Sequence, residues 1–187
     1  GDIPGIADID GNGSLDIINF DGGGIIVEFH SNSDTCGLDY ILKERCWGHF
    51  SETGIYRAVE LDGCVPFKKK TLHSGSSLLP LDLNSDNVTD VLLGNISYSD
   101  MGALYNGGTQ DSAHFTSQDT LYPTYDKSIE VVNFPAAWYE DVTFDGIPDL
   151  LISPADQSDG GQDKRSIQLY KNNGTSTTPI FNYVKNN

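Results

Sequence analysis

Three stretches of the chain place oxygen-bearing side chains at positions 1, 3, 5 and 9 of a nine-residue segment. They are Asp8, Asp10, Asn12 and Asp16 in DIDGNGSLD; Asp82, Asn84, Asp86 and Asp90 in DLNSDNVTD; and Asp141, Thr143, Asp145 and Asp149 in DVTFDGIPD. Odd-numbered residues of a tight loop can turn their side chains inward while the backbone wraps an ion. The residue at position 7 (Ser14, Val88 or Ile147) would add a main-chain carbonyl. The resulting cage is hard and all-oxygen. It suits Ca²⁺, which takes about 6–8 oxygen ligands at roughly 2.3–2.6 Å, better than Mg²⁺, which gives up its waters reluctantly. Nine of the twelve side-chain positions are Asp, a recurrence that argues against ordinary metal-free Asp/Asn/Gly turns. We expect up to three calcium sites of a structural kind. The third should be the weakest, because Thr143 is a poorer ligand than Asp10 or Asn84.

An EF-hand also begins D-x-[DN]-x-[DN]-G, but it needs a bidentate Glu at position 12 between two helices. Position 12 is Asn19, Leu93 or Ile152 here, and the flanks are rich in β-formers. The elements that hold the loops are therefore strands. Each loop follows an apolar approach (PGIA, SLLPL, PAAWYE) and enters an apolar run (IINF, VLLG, LLIS). A further strand ending in a turn comes later: GIIVEFHSN, GALYNGG and SIQLYKNNG. A long repeat of short antiparallel strands is the signature of a propeller blade, a unit that buries its faces only by stacking on neighbours. The expected fold is all-β, with about three blades of four-stranded antiparallel sheet. Residues 1–76 form the first blade plus a Cys-containing insertion, 77–134 the second and 135–187 the third.

On these residues the loops resemble the D-x-D-x-D-G-x-x-D loops of the FG-GAP/VCBS repeat family, which includes the integrin α-subunit propellers. The tracts HSGSSLLPLDLNSDNVTDVLLGNIS and IQLYKNNGTSTTPIFNYV resemble large secreted or surface proteins of the Bacteroidota, many of them exported by type IX secretion. The resemblance implies calcium in the acidic hairpins, six to eight blades, and a role in adhesion or recognition. The chain departs from the family pattern at Asn12, Asn84 and Thr143, and at Asn87, where Gly is usual; Asn tolerates left-handed backbone angles. Three blades do not close a propeller. The remaining blades are then expected from the same longer chain or from another chain. That residue 1 is Gly, with no signal peptide before it, fits a mature or excised portion.

The rest of the sequence narrows the function. The chain has 187 residues and a formal net charge of −16, which disfavours nucleic acid as a partner. No apolar run is long enough to span a bilayer. Cys36, Cys46 and Cys64 are an odd set within one segment; one disulfide and one free thiol are expected of an extracytoplasmic protein, with all three pairings open. A Cys3His zinc site with His49 is the sharper alternative. His30, His49, His73 and His114 lie in no zinc or triad motif, and neither GxSxG nor HExxH occurs. His73-Ser74 is a poor nucleophile–base pair, and Lys68, Lys69 and Lys70 read as a solvated run. The expectation is a secreted or cell-surface binding or scaffold module with a protein or glycan ligand, not an enzyme. One alternative is a calcium-dependent lectin, with Trp47 or Trp138 as the sugar platform. Another is an accessory propeller of a larger secreted hydrolase. Residues 31–76 are expected to supply either two further blade strands, stapled by a disulfide, or a recognition loop.

Overall fold

Alternation of buried and half-buried residues in DIINF, and its loss in DVLLGN, foreshadow how the sheets stack. The computed structural model describes residues 2–34, 37–52, 57–64, 75–155 and 167–184, and among these every regular element is a strand. The strands are β1 (Gly5–Ala7), β2 (Asp16–Phe20), β3 (Val27–Asn32), β4 (Tyr40–Glu44), β5 (Phe50–Ser51), β6 (Glu60–Leu61) and β7 (Ser76–Leu81). They continue with β8 (Asp90–Asn95), β9 (Met101–Asn106), β10 (Phe115–Asp119), β11 (Pro135–Glu140), β12 (Asp149–Pro154), β13 (Gln168–Asn172) and β14 (Phe181–Val184).

Three four-stranded antiparallel meanders result, β1-β2-β3-β4, β7-β8-β9-β10 and β11-β12-β13-β14, and β5-β6 is a separate two-stranded ladder. The blade-like all-β architecture read from the sequence is what the chain forms. The first strands of the sheets meet in order, β1 against β7 and β7 against β11. Ile3 bridges to Ser77 in parallel, and Ser77 Oγ donates to Pro135 O over 2.7 Å. The approach is close: a Cβ on Gly94 would lie 2.0 Å from Pro135 O, so only Gly fits there.

Two apolar cores separate the three sheets. Between the first and second lie Ile18, Phe20, Val27, Phe29, Val91, Leu93 and Leu104; between the second and third lie Leu92, Met101, Ala103, Leu150, Ile152, Tyr170 and Phe181. The middle sheet thus buries both faces, which is why β8 reads as a continuous apolar run rather than an alternating one. The residue just after each loop's last Asp shows the phase. Val91 points to the first sheet and Leu150 to the second, whereas the next residues, Ile18 and Leu92, point to the following sheet.

Among the described residues of the segment 31–76, β4 completes the first sheet. Residues 45–52 and 57–64 then carry the β5–β6 ladder, which lies against the second sheet. Trp47 and Phe50 pack edge-on to Phe115 at 5.2 and 5.4 Å between centroids, and Val59 exchanges two hydrogen bonds with the Gln118 side chain.

Candidate metal centre

Each acidic segment forms the hairpin between the first two strands of its sheet, residues 8–15, 82–89 and 141–148. Position 9 opens the second strand, where Asp16, Asp90 and Asp149 pair with Ala7, Leu81 and Glu140. The loops share one backbone path. Positions 4 and 6 are left-handed in all three: Gly11 (φ 72°) and Gly13 (φ 87°), Ser85 (68°) and Asn87 (65°), Phe144 (58°) and Gly146 (86°). Asn87 takes the left-handed angle expected of it in place of Gly.

Internal hydrogen bonds repeat as well. The position-6 N–H donates to the position-1 carboxylate: Gly13 to Asp8 at 3.0 Å, Asn87 to Asp82 at 2.9 Å and Gly146 to Asp141 at 2.9 Å. The position-7 N–H donates to position 5: Ser14 to Asn12 at 2.8 Å, Val88 to Asp86 at 2.9 Å and Ile147 to Asp145 at 3.1 Å. Side-chain oxygens at 1 and 5 are thereby fixed by the main chain of their own loop.

Asp16, Asp90 and Asp149 are fully buried. One oxygen of each accepts from the loop backbone (Ile9, Leu83 and Thr143 N–H). The other accepts from an Asn at the end of the third strand: Asn32 at 2.8 Å, Asn106 at 2.7 Å and Asn172 at 2.9 Å. Burial pushes the Asp90 carboxyl up to about 7, against the lowering effect of its two backbone donors. These three Asn residues were missed as members of the motif. Their signal was present: an Asn at the end of GIIVEFHSN, in GALYNGG and in SIQLYKNNG, each leading into a turn.

Carboxylate oxygens of Asp8, Asp10 and Asp16 lie within 4.8 Å of one another, so this cluster could hold a metal ion. Two oxygens at about 2.4 Å on opposite sides of one ion would stand just that far apart. The residues fit such an ion on a second ground. Asp10 is only 6% exposed at its side chain, and its Oδ1 is buried with no hydrogen-bond partner. Thr143 Oγ1, also at position 3, is another buried oxygen without a partner in hydrogen-bonding geometry. Buried polar atoms are nearly always satisfied, and a cation or water would complete both. Asn84 and Thr143 leave the second and third loops without a carboxylate at this position.

Lysines meet two of the loops. Lys43 Nζ is 2.9 Å from Asp10 Oδ2, and Lys171 Nζ is 2.9 Å from Asp145 Oδ2. Burial acts to raise the Asp10 carboxyl, but the hydrogen bonds from Lys43 and Ser31 outweigh it and hold it below the usual range. The Lys171 hydrogen bond holds Asp145 low in the same way. Each ammonium would compete with a cation for its carboxylate.

Cys46 and Cys64 form a disulfide, which removes two thiolates from the Cys3His zinc alternative and overturns it. Cys36, Lys68, Lys69, Lys70, His73 and Ser74 lie outside the described residues. Trp47 is buried in the first core at 2% exposure, so it offers no sugar platform, while Trp138 is 41% exposed on the outer face of the third sheet. Among the described residues no helix is long and apolar enough to cross a membrane. Neither protein-family models nor curated proteins match the chain.

Proposed function

We propose that the chain is a calcium-stapled run of three β-propeller blades from a secreted or cell-surface protein, serving adhesion, recognition or scaffolding. The observation that carries this reading is the threefold identity of the acidic hairpins. One backbone path and one hydrogen-bond scheme recur where the sequences share little but their oxygens. An ion in such a loop ties the turn to the start of the second strand and relieves repulsion among neighbouring carboxylates. Three Ca²⁺ would bring the formal charge from −16 to −10. The disulfide and the absence of a membrane-crossing helix among the described residues accord with an extracytoplasmic setting.

The outer faces support the blade reading. On the first sheet, Ile6, Ile17, His30 and Leu42 follow one another across the strand pairs; on the third, Trp138, Leu151, Leu169 and Val184 do so. The first row has the phase of a face that receives a preceding sheet, the second that of a face that receives a following one. Further blades of the same longer chain or of another chain would cover both.

Calorimetric titration of the chelated protein with Ca²⁺ tests the reading, together with melting curves in EGTA and in millimolar calcium. Up to three sites are expected, the first loop tightest and the third weakest. If free Ca²⁺ exceeds Kd by about 100-fold, each site adds roughly 2.7 kcal/mol. Coincident melting curves overturn it.

A further inference from the structure

Two histidines far apart in the sequence are neighbours in the fold. His49 sits in the disulfide-closed segment with a left-handed backbone (φ 56°), its N–H donating to Cys46 O and its carbonyl accepting from Gly63 N–H, both at 3.1 Å. His114 immediately precedes β10 and bridges in parallel to Gly48, whose carbonyl accepts from Phe115 N–H at 2.9 Å. Main-chain bonds on both sides therefore fix the two backbone positions relative to each other. Their rings lie 5.4 Å apart between centroids, inclined at 52°. His114 Nε2 is hydrogen-bonded to Asp62 Oδ1 at 2.6 Å, whereas His49 Nε2 lies 3.6 Å from Glu44 Oε1, within ion-pair reach but not hydrogen-bonded. All four side chains reach solvent, at 46% for His114, 79% for Asp62, 51% for His49 and 32% for Glu44.

A carboxylate at one ring nitrogen fixes the tautomer, orients the ring and raises the basicity of the other nitrogen. Two imidazoles bound to one tetrahedral ion, with metal–nitrogen bonds of about 2.0–2.1 Å, would place their centroids about 5 Å apart. The observed 5.4 Å is close to that separation, and the Nδ1 atoms are the ones that the carboxylates leave open. We propose that His49 and His114, the latter oriented by Asp62, form a binding site for a borderline divalent transition ion, Zn²⁺ being the probe of choice. The acidic hairpins offer only oxygen and select hard cations; this pair offers imidazole nitrogen and selects a different class. An ion here would pin the stretch around His49 to the entry of β10, joining the first sheet's extension to the second sheet. Cys46 and Cys64 take no part, being joined to each other.

The test titrates Zn²⁺ in competition with a chromophoric chelator, in millimolar Ca²⁺ so that hard-ion sites are already satisfied. One equivalent should bind. His49→Asn, chosen because Asn accepts the left-handed backbone, and His114→Gln should each lower the affinity about tenfold or more. Asp62→Asn keeps both imidazoles and should lower it less, while His30→Gln should leave it unchanged. Melting curves of these variants in calcium without zinc should coincide with the parent's, since the replaced side chains are solvent-facing. No saturable zinc binding by the parent overturns the proposal. So does zinc binding of undiminished affinity in the His49→Asn/His114→Gln double variant.

Discussion

The backbone N–H of Asn106 donates to Oδ1 of Asp90 over 2.7 Å, and both residues are buried. Oδ2 of the same carboxylate accepts from Leu83 N–H at 3.0 Å, so one side chain joins the acidic hairpin to the end of the third strand. Asp90→Ala would strand the buried Asn106 N–H and the part-buried Leu83 N–H, at up to about 1–3 kcal/mol each. We expect a loss of about 2–5 kcal/mol in urea unfolding even in EGTA. Asp86→Ala, at an exposed position of the same loop, should cost less than about 1 kcal/mol. Equal costs for the two would mean that position 9 acts only through a metal.

How much of this could be read beforehand follows from what recurs. The oxygen spacing and the apolar runs after it are local patterns, and they located the hairpins and the meanders. Asn32, Asn106 and Asn172 also recur, but each lies a strand beyond its Asp, where spacing varies with hairpin length. The His49–His114 pair was illegible, because it depends on how residues 45–64 dock on β10 and no periodicity encodes that. Trp47 could equally have been a surface platform or a core anchor. Only the stacking of the first sheet on the second, through Phe29 and Phe115, decides it.

Lys171 supplies the third loop with a positive charge that a cation would otherwise bring. Lys171→Gln should therefore act in opposite directions on the two states: weaker stability without calcium, and a severalfold higher calcium affinity at that loop. Lys43→Gln should do the same at Asp10, whose Oδ2 also accepts from Ser31 Oγ at 2.9 Å. Calorimetry and melting in EGTA read both. A variant that loses calcium affinity would show that the lysine organises the loop rather than competing for it.

Phe144 is 91% exposed with φ 58°, at the loop position held by Gly11 in the first hairpin. A left-handed conformation costs an L-residue roughly 1–2 kcal/mol, and here no burial of the ring offsets it. Phe144→Gly should stabilise the chain by about 1 kcal/mol, part of the gain being cancelled by the greater freedom of Gly when unfolded. Denaturant midpoints of the two proteins in EGTA give the answer. A destabilised variant would show that the ring makes an intramolecular contact.

The disulfide between Cys46 and Cys64 spans 18 residues and encloses β5 and β6. Chain entropy alone gives a loop of that size about 3 kcal/mol. Cys46→Ser/Cys64→Ser should lower stability by about that much, and Trp47, next to the bond and buried against Phe115, should report the loosening by a red-shifted emission. Unchanged fluorescence and midpoint would assign the anchoring of this segment to its aromatic packing.

The outer face of the third sheet carries Trp138 opposite Leu151, with Leu169 and Val184 beyond. Exposed apolar rows of this kind drive association. The chain studied alone should self-associate with rising concentration in sedimentation velocity. Trp138→Glu should reduce that association without moving the melting temperature in dilute solution, since the residue is already 41% exposed. Ile6→Glu, on the opposite outer face, should have the same effect, because head-to-tail stacking needs one face of each kind. A response to Trp138→Glu but not to Ile6→Glu would point instead to pairing of two third-sheet faces, a geometry that propeller blades do not use.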